Sequence, residues 1–254
     1  MVKLQALKQY IFLFLFLPMD RASAQTAKEI ITITEEKMRG NTSQANLIIR
    51  TVRPTWSREM KIKAWIKGND YSMLLVNAPV RDKGIVFLKR KKEVWNWIPA
   101  IEKTIKLPPS MMSQSWMGTD FTNDDLVKES SLVTDYTHSF SADTLIDRRN
   151  CYTIIMMPKP EAAVVWGRLV VCIDKERMVQ LHARFYDEDD ELINTMNAYD
   201  IKIMDGRLIP TRFEMMPSNK KNHKTVMIYE SVSFNRPMDE SFFSTDKMRY
   251  IITQ

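Results

Sequence analysis

Residues 108–126 read Pro-Pro-Ser-Met-Met-Ser-Gln-Ser-Trp-Met-Gly-Thr-Asp-Phe-Thr-Asn-Asp-Asp-Leu. This stretch interrupts the strand-like sequence on either side of it, yet it carries five large apolar residues: Met111, Met112, Trp116, Met117 and Phe121. A connection that runs over a protein surface is usually polar, so one this apolar must cover either a core or the mouth of a cavity. Methionine favours the cavity, because its flexible thioether adapts to ligands of different shapes. Ordinary core packing remains open as the alternative.

The sequence around this stretch alternates between apolar and polar residues. Met60, Ile62, Ala64 and Ile66, for example, are separated from one another by polar residues or tryptophan, and residues 179–186 and 225–234 follow the same period of two. Such alternation is typical of antiparallel strands with one apolar face. Polar turn signals separate the segments, including the Asp205-Gly206 hairpin signal. The pattern predicts about ten or eleven strands.

Residues 26–39 are predicted to form the one long helix, with Thr26 as its N-cap and Gly40 at its end. A single open sheet of ten or eleven strands tends to curl on itself. We therefore expect a mainly β chain with a few helices. Its architecture would be a half-open antiparallel β-barrel, with the N-terminal helix and a helical lid from residues 108–128 in its mouth.

The N-terminus has the pattern of a secretory signal peptide. Lys3 and Lys8 precede an apolar run at residues 10–17, which is shorter than the roughly 20 residues that a membrane-spanning helix needs. Ala22-Ser23-Ala24 then supplies small residues before a cleavage site. We expect residues 1–24 to be removed and residues 25–254 to form one exported, periplasmic domain. No cysteine follows the predicted cut, so lipidation there is not expected.

Composition limits the classes of partner. The formal net charge is +6, and the basic residues are dispersed along the chain instead of forming a nucleic-acid-binding patch. Only six glycines occur in 254 residues, which argues against glycine-rich phosphate loops. We expect no nucleic-acid partner and a monomeric protein.

Motifs for catalysis or metal binding are missing from the sequence. It contains no Gly-x-Ser-x-Gly, His-Glu-x-x-His or Cys-x-x-Cys, and its three histidines are scattered. Asp124 and Asp125 are best explained as first-turn acids of a short helix that Thr122 or Asn123 caps. The sequence therefore predicts no catalytic residue, no metal site and no cofactor.

Cys151 and Cys172 lie on two strands of a predicted hairpin. A turn centred near Glu161 and Ala162 would place them opposite each other, and export makes a disulfide chemically feasible. A small register shift would separate them and leave two buried thiols. Both outcomes stay open at this point.

Residues 94–126 resemble the outer-membrane lipoprotein-sorting protein family, relatives of the periplasmic lipoprotein carriers. The likeness starts with an aromatic strand and Pro-Ala, Val94-Trp95-Asn96-Trp97-Ile98-Pro99-Ala100. Pro109-Ser110-Met111-Met112 and Met117-Gly118-Thr119-Asp120-Phe121 follow in the expected order. The C-terminal half is also similar, for example at Ile209-Pro210-Thr211-Arg212-Phe213. The resemblance extends over nearly all of residues 25–254.

The resemblance implies a half-open barrel that shields acyl chains of a lipoprotein or lipid and delivers them towards the outer membrane, without catalysis. An inner-membrane transporter and an outer-membrane acceptor would be its partners. A lipid- or peptide-sensing accessory module for an envelope transporter or signalling protein is the alternative, and an enzyme acting on lipid or polysaccharide is a third. The sequence does not decide which face of residues 94–98 points inward. The residues expected to line the cavity and lid are Met60, Ile62, Ile66, Trp95, Trp97, Met111, Met112, Trp116, Met117 and Phe121.

Overall fold

The computed structural model describes residues 25–128 and 131–251. The predicted signal peptide at residues 1–24 lies outside the described residues. In the part of the chain that is described, every helix is too short or too polar to cross a lipid bilayer.

Helix α1 spans Ala27–Arg39 and begins and ends where its sequence predicts. The Thr26 hydroxyl accepts a hydrogen bond from the Glu29 amide at 3.2 Å, and the Glu29 carboxylate accepts one from the Thr26 amide at 2.7 Å. This reciprocal pair satisfies amides that the helix leaves without partners. Gly40 ends the helix with φ of 61°, a backbone conformation that glycine adopts without strain. The predicted helix is confirmed.

Fourteen strands form one antiparallel sheet in the order β6-β5-β4-β3-β2-β1-β14-β13-β12-β11-β10-β9-β7, with β8 paired to β9. Among the described residues, β6 and β7 are the two open edges, so the barrel is half open as predicted. The strands are β1 (Thr42–Val52), β2 (Ser57–Lys67), β3 (Tyr71–Ala78), β4 (Val86–Arg90), β5 (Glu93–Ile98), β6 (Lys103–Leu107), β7 (Tyr136–Phe140), β8 (Thr144–Ile146), β9 (Arg149–Pro158), β10 (Arg168–Asp174), β11 (Gln180–Tyr186), β12 (Leu192–Met204), β13 (Arg207–Pro217) and β14 (Lys224–Phe234).

The predicted count of ten or eleven strands was too low. The short strands β6, β7 and β8 have few buried residues, and their sequences lack a clear apolar alternation. These segments are strands because their backbones pair with a neighbouring strand, and not because they bury an apolar face.

The sheet is buried on both faces over β2–β5. Its concave face carries the main core, whereas its convex face is covered by the C-terminal helix α2 (Thr245–Tyr250) and by Phe243. Trp95 and Trp97 lie on the convex face, where Trp97 belongs to the same cluster as Phe243 and Met248. Placing these two tryptophans in the cavity was therefore wrong. Alternation identifies two faces but not which one is inside, and here the C-terminal segment makes the outer face apolar too.

Residues 108–128, which we call the lid segment, fold into short helical turns. They comprise two 3₁₀ turns, at Pro109–Met111 and Trp116–Gly118, and a π-helical turn at Asp124–Lys128. Thr122 caps the last of these, since its hydroxyl accepts from the Asp125 amide at 3.1 Å and its own amide donates to the Asp125 carboxylate at 2.8 Å. This confirms Thr122 as the cap.

The two cysteines are free and buried in a small cluster with Val179 and Leu181. The strand register places Asp174 opposite Cys151, and Thr153 opposite Cys172. The hairpin register thus differs by two residues from the one that would bring the sulfurs face to face. This register favours the buried-thiol alternative over a disulfide.

Candidate functional site

A cavity of about 240 Å³ lies between the concave face of the sheet, helix α1 and the lid segment. An engineered cavity of about 150 Å³ in another protein is large enough to bind benzene, so this one has room for a larger apolar group. Its walls come mostly from apolar side chains of the central strands and the lid segment. They include Leu47, Ile49, Ile66, Leu74, Phe185, Phe213, Met215 and Val232.

Three alanines create the space. Ala45 on β1 and Ala64 on β2 are direct cross-strand partners, and Ala183 lies on β11; all three are buried and line the cavity. Larger residues at these positions would fill the interior, as they do elsewhere in the concave core. The cavity is therefore a consequence of local sequence and not only of the curvature of the sheet.

The lid segment closes the cavity with two aromatic side chains. Trp116 is fully buried and its ring lies 5.5 Å from that of Phe87 on β4, whereas Phe121 is 3% exposed. The Trp116 amide donates to the Phe121 carbonyl at 2.8 Å, and Ser115 and Thr122 form an isolated β-bridge. These bonds form a tight loop that points both rings into the barrel.

A buried ion pair anchors the lid segment to the barrel. The Arg53 guanidinium binds both carboxylate oxygens of Asp120, with its two terminal nitrogens at 2.9 and 3.0 Å, and both side chains are almost fully buried. Two parallel charge-assisted hydrogen bonds of this kind set the relative orientation of the two groups, and they are stronger than bonds between neutral groups. Arg53 also donates to the carbonyl oxygens of Val52, Lys224 and Gly118.

Further hydrogen bonds hold the same part of the lid segment. Thr225 on β14 donates to the Asp120 carboxylate at 2.7 Å and accepts from the Asp120 amide at 2.9 Å. Asn194 on β12 donates to the Asp120 carbonyl at 3.2 Å, and Arg58 donates to the Met117 carbonyl. Opening the lid segment requires these bonds to break together.

A third aromatic residue on the cavity wall, Trp166, is bonded to the lid segment. Trp166, in the connection between β9 and β10, donates its indole N–H to the Asp125 carboxylate at 2.8 Å and packs edge-on against Phe185 at 5.2 Å. Removal from bulk water raises the pKa of Asp125 to about 6, although the hydrogen bonds from Thr122 and Trp166 act in the opposite direction. A carboxyl group bordering the apolar cavity therefore titrates close to neutral pH.

An open cleft adjoins the cavity on the outer side of Phe121 and Trp166, because both residues border the two spaces. The cleft is polar, with Arg53, Asn194, Lys220 and His223 on its walls and the acidic tip at residues 187–189 beside them. The two aromatic side chains thus separate an apolar interior from a polar exterior.

The residues predicted from sequence fall into three groups. Ile66, Trp116 and Phe121 line the cavity, whereas Met60, Ile62 and Met112 are buried in the surrounding core and Met111 and Met117 pack against it. Trp95 and Trp97 are outside. The sequence analysis did not identify Arg53, Trp166 or the C-terminal strands as parts of the site. The alternation of residues 225–234 did indicate that Val232 lies on an apolar face.

The three histidines do not line the cavity. His138 hydrogen-bonds the Leu132 carbonyl at 2.7 Å, His182 bonds the Asn197 side chain at 2.8 Å, and His223 borders the outer cleft. Within residues 25–128 and 131–251, no group of three histidine, cysteine or acidic side chains is arranged to hold a metal ion. The hypothesis that the protein is an enzyme is therefore weakened, because no histidine lies on the cavity wall to act as a base.

This architecture has known counterparts. A LolA superfamily protein from Nitrosomonas europaea superposes with a TM-score of 0.77 at 21% identity, covering 88% of this chain and 100% of that one. A domain described as an outer membrane lipoprotein-sorting protein, from Vibrio parahaemolyticus, gives 0.78 at 16% identity with 88% and 98% coverage. A DUF1329 family protein from Desulfovibrio piger gives 0.78 at 18% identity with 87% and 97% coverage. The chain thus has the same fold as these three proteins, as the sequence resemblance indicated.

The sequence itself matches a family model described as "-like: Uncharacterized protein" over residues 68–250. This match covers more than half of the chain, and the chain belongs to that family. No curated protein matches the sequence significantly.

Proposed function

We propose that this protein is a periplasmic carrier that binds the acyl chains of a lipoprotein or lipid and delivers them towards the outer membrane. The observation that carries the proposal is the apolar cavity beneath an anchored lid segment. The fold shared with LolA superfamily and lipoprotein-sorting proteins supports it. Such a carrier takes cargo from an inner-membrane donor and gives it to an outer-membrane acceptor, with no chemical step.

The energetics suit this role. Transfer of an acyl chain out of water is worth roughly 0.8 kcal/mol per CH₂ group, so a chain of moderate length binds strongly without specific contacts. Ligand pockets usually measure 300–1,000 Å³, and the cavity of about 240 Å³ is smaller. A long chain exceeds this volume, and we infer that outward movement of the lid segment accommodates it. Release then depends on the strength of the lid anchor and not on catalysis.

The alternative function is a lipid- or peptide-sensing accessory module for an envelope transporter or signalling protein. The polar cleft beside Phe121 and Trp166 favours this alternative. Its charged walls adjoin the apolar cavity, so the two spaces together suit a ligand or peptide segment that has both charged and apolar groups. A carrier transfers its ligand to an acceptor membrane. A sensor instead forms a stable complex with a partner protein in response to the ligand.

A cavity-filling substitution tests acyl binding. In Ala64→Phe the added ring occupies the space above β2, and we expect it to abolish uptake of a fluorescent fatty-acid probe by residues 25–254. Filling a cavity usually leaves stability unchanged or higher when the ring fits. Ala100→Phe, at an exposed position outside the cavity, is the matched control and should bind as the native sequence does. Equal uptake by the two variants, both folded, would contradict binding in this cavity.

A further inference from the structure

Three successive strand connections each carry one exposed apolar residue at the same end of the sheet. Trp56 lies between β1 and β2, Val80 between β3 and β4, and Ile101 between β5 and β6. They are 50%, 90% and 53% exposed, respectively. Neighbouring strands lie about 4.8 Å apart, so the pairing order from β1 to β6 spaces these connections by roughly 10 Å.

The grouping of these residues is what requires an explanation. A single exposed apolar residue is normal on a protein surface, whereas several that lie together mark a contact surface. The described residues include nine large apolar side chains that are exposed, and three of the nine occupy these three successive connections. This end of the sheet therefore presents apolar groups that nothing in the described chain covers.

The three connections have defined conformations. The Arg53 amide donates to the Trp56 carbonyl at 2.9 Å, and the Arg53 guanidinium lies 5.9 Å from the centroid of the Trp56 ring. Short 3₁₀ turns at Val80–Asp82 and Pro99–Ile101 shape the other two connections. Because the backbone is already ordered, contact with another surface costs little further conformational entropy.

The charge of this end of the sheet is basic. The connection between β13 and β14 lies next to that between β1 and β2, because β14 pairs with β1. Apart from Arg53, which binds Asp120, the four connections and the first residue of β6 carry five basic and two acidic residues. The basic residues are all exposed, and they are Arg81, Lys83, Lys103, Lys220 and Lys221. The acidic residues are Asp82 and Glu102. Apolar groups flanked by lysine and arginine suit the interface of an anionic membrane.

The acidic connection between β11 and β12 limits this surface on one side. Residues 187–191 are all acidic, and the first three of them border the same polar cleft as Lys220. Anionic headgroups repel this connection, so the side of the molecule from β1 to β6 is the one that suits a membrane. A second copy of the chain would bring like charges together, which disfavours self-association through the same residues.

We propose that residues 53–56, 79–85, 99–103 and 218–223 form a docking surface for an anionic phospholipid bilayer. Trp56, Val80 and Ile101 enter the headgroup region, and the basic residues contact lipid phosphates. The lid anchor lies directly behind this surface, because Arg53 belongs to the first of the four segments. Docking therefore brings the lid segment close to the membrane. The contact is peripheral and does not depend on acyl binding in the cavity.

Co-sedimentation of the full chain, purified from a bacterial periplasm, with lipid vesicles tests the inference. The vesicles contain equal parts of phosphatidylglycerol and phosphatidylcholine, or phosphatidylcholine alone. We expect binding to the anionic vesicles only, and a loss of about tenfold or more when salt rises from about 0.05 M to about 0.5 M. Val80→Ser should weaken binding roughly threefold, because it removes an apolar contact. Lys83→Glu should weaken it about fivefold or more, because each basic residue adds to the attraction.

Matched controls lie at the opposite end of the sheet. Ile203 is 74% exposed near the end of β12, and Lys202 beside it is also exposed. Ile203→Ser and Lys202→Glu should leave vesicle binding unchanged. Ala64→Phe, which fills the cavity, should dock as the native protein does, so failure of the carrier function and failure of docking are distinguishable.

Tryptophan fluorescence provides a second readout. Brominated acyl chains quench an indole only at short range, so anionic vesicles that contain them should quench the native protein. Trp56→Phe keeps an aromatic ring and should still dock, but most of the quenching should disappear, because four of the other five tryptophans are buried.

Several results would overturn the inference. They are absence of binding to anionic vesicles, equal binding to both kinds of vesicle, equal losses in Val80→Ser and Ile203→Ser, and full quenching in Trp56→Phe. A stable dimer of the native protein that Val80→Ser dissociates would assign the surface to a second copy of the chain and would overturn the inference as well.

Discussion

The carboxyl group of Asp125 sits where the lid segment, the cavity and Trp166 meet. Its pKa is raised because the lost hydration of the carboxylate outweighs two hydrogen bonds that favour the charged form. The unfolded chain holds this proton less tightly. Stability linked to Asp125 is therefore fully present below about pH 4 and is lost as the pH rises through about 6.

Asp125→Asn removes this pH dependence while it keeps an acceptor for the Trp166 N–H. We expect the native protein to lose stability between pH 4 and 7 relative to the variant, by at most about 3 kcal/mol, since the carboxyl group is partly exposed to the cavity. Urea unfolding across this range measures the difference. Asp189→Asn, on the exposed β11–β12 tip, is the control, and parallel profiles for native protein and Asp125→Asn would contradict the assignment.

The two thiols are predicted to be unreactive in the folded state. Burial raises the pKa of Cys151 to about 11 and also raises that of Cys172, so little thiolate exists at neutral pH. Iodoacetamide should label neither cysteine in the native protein and both in urea without reductant, as mass spectrometry will reveal. A protein that takes up no label in urea until it is reduced would instead contain the disulfide.

Sequence reasoning at the residue scale was limited by contacts between distant segments. The hydrogen bond from Trp166 to Asp125 joins residues 41 positions apart, and the Arg53–Asp120 pair joins residues 67 apart. Neither leaves a local pattern. Trp116 and Phe121 were predictable because a polar connection should not contain them.

At the scale of elements, local signals were reliable where caps and turns set the boundaries. Helix α1 and the Thr122 cap follow from residues three or four positions apart. The orientation of β5 did not follow, because the α2 segment, about 150 residues later in the chain than β5, covers its outer face. The two faces of a strand buried on both sides look alike in sequence.

The lid segment is the element most open to test. Arg53→Met leaves Asp120 buried without its counter-ion, and removing one partner of such a pair typically costs 3–5 kcal/mol. We expect faster hydrogen exchange at the amides of residues 119–121 and faster release of a bound acyl probe. Denaturant unfolding and exchange measured by mass spectrometry check both.

A matched control is available on strand β1, shortly before Arg53 in the chain. Arg50 pairs with Glu59 at 2.8 Å, but both side chains are largely exposed. Arg50→Met should therefore cost less than about 1 kcal/mol and leave exchange in the lid segment unchanged. Equal effects of the two substitutions would argue that the Arg53–Asp120 pair does not anchor the lid segment.

At the scale of the whole molecule, one antiparallel sheet curls around an apolar space that three alanines keep open. Alternation over most of the chain predicted the sheet, and the number of its strands predicted that it curls. It did not predict the volume of the space, which depends on how strands from both halves of the chain place Ala45, Ala64 and Ala183 on the walls of one cavity. The half-open barrel was thus predictable as an architecture, whereas its cavity required the assembled structure.

The central claim is that the cavity carries acyl chains. Native mass spectrometry with lipid extraction, on residues 25–254 purified from a bacterial periplasm, tests it most directly. We predict an added mass from a co-purifying acylated species, absent in folded Ala64→Phe and retained in Ala100→Phe. A bare protein mass that stays unchanged after incubation with acylated lipids or lipopeptides would contradict the account.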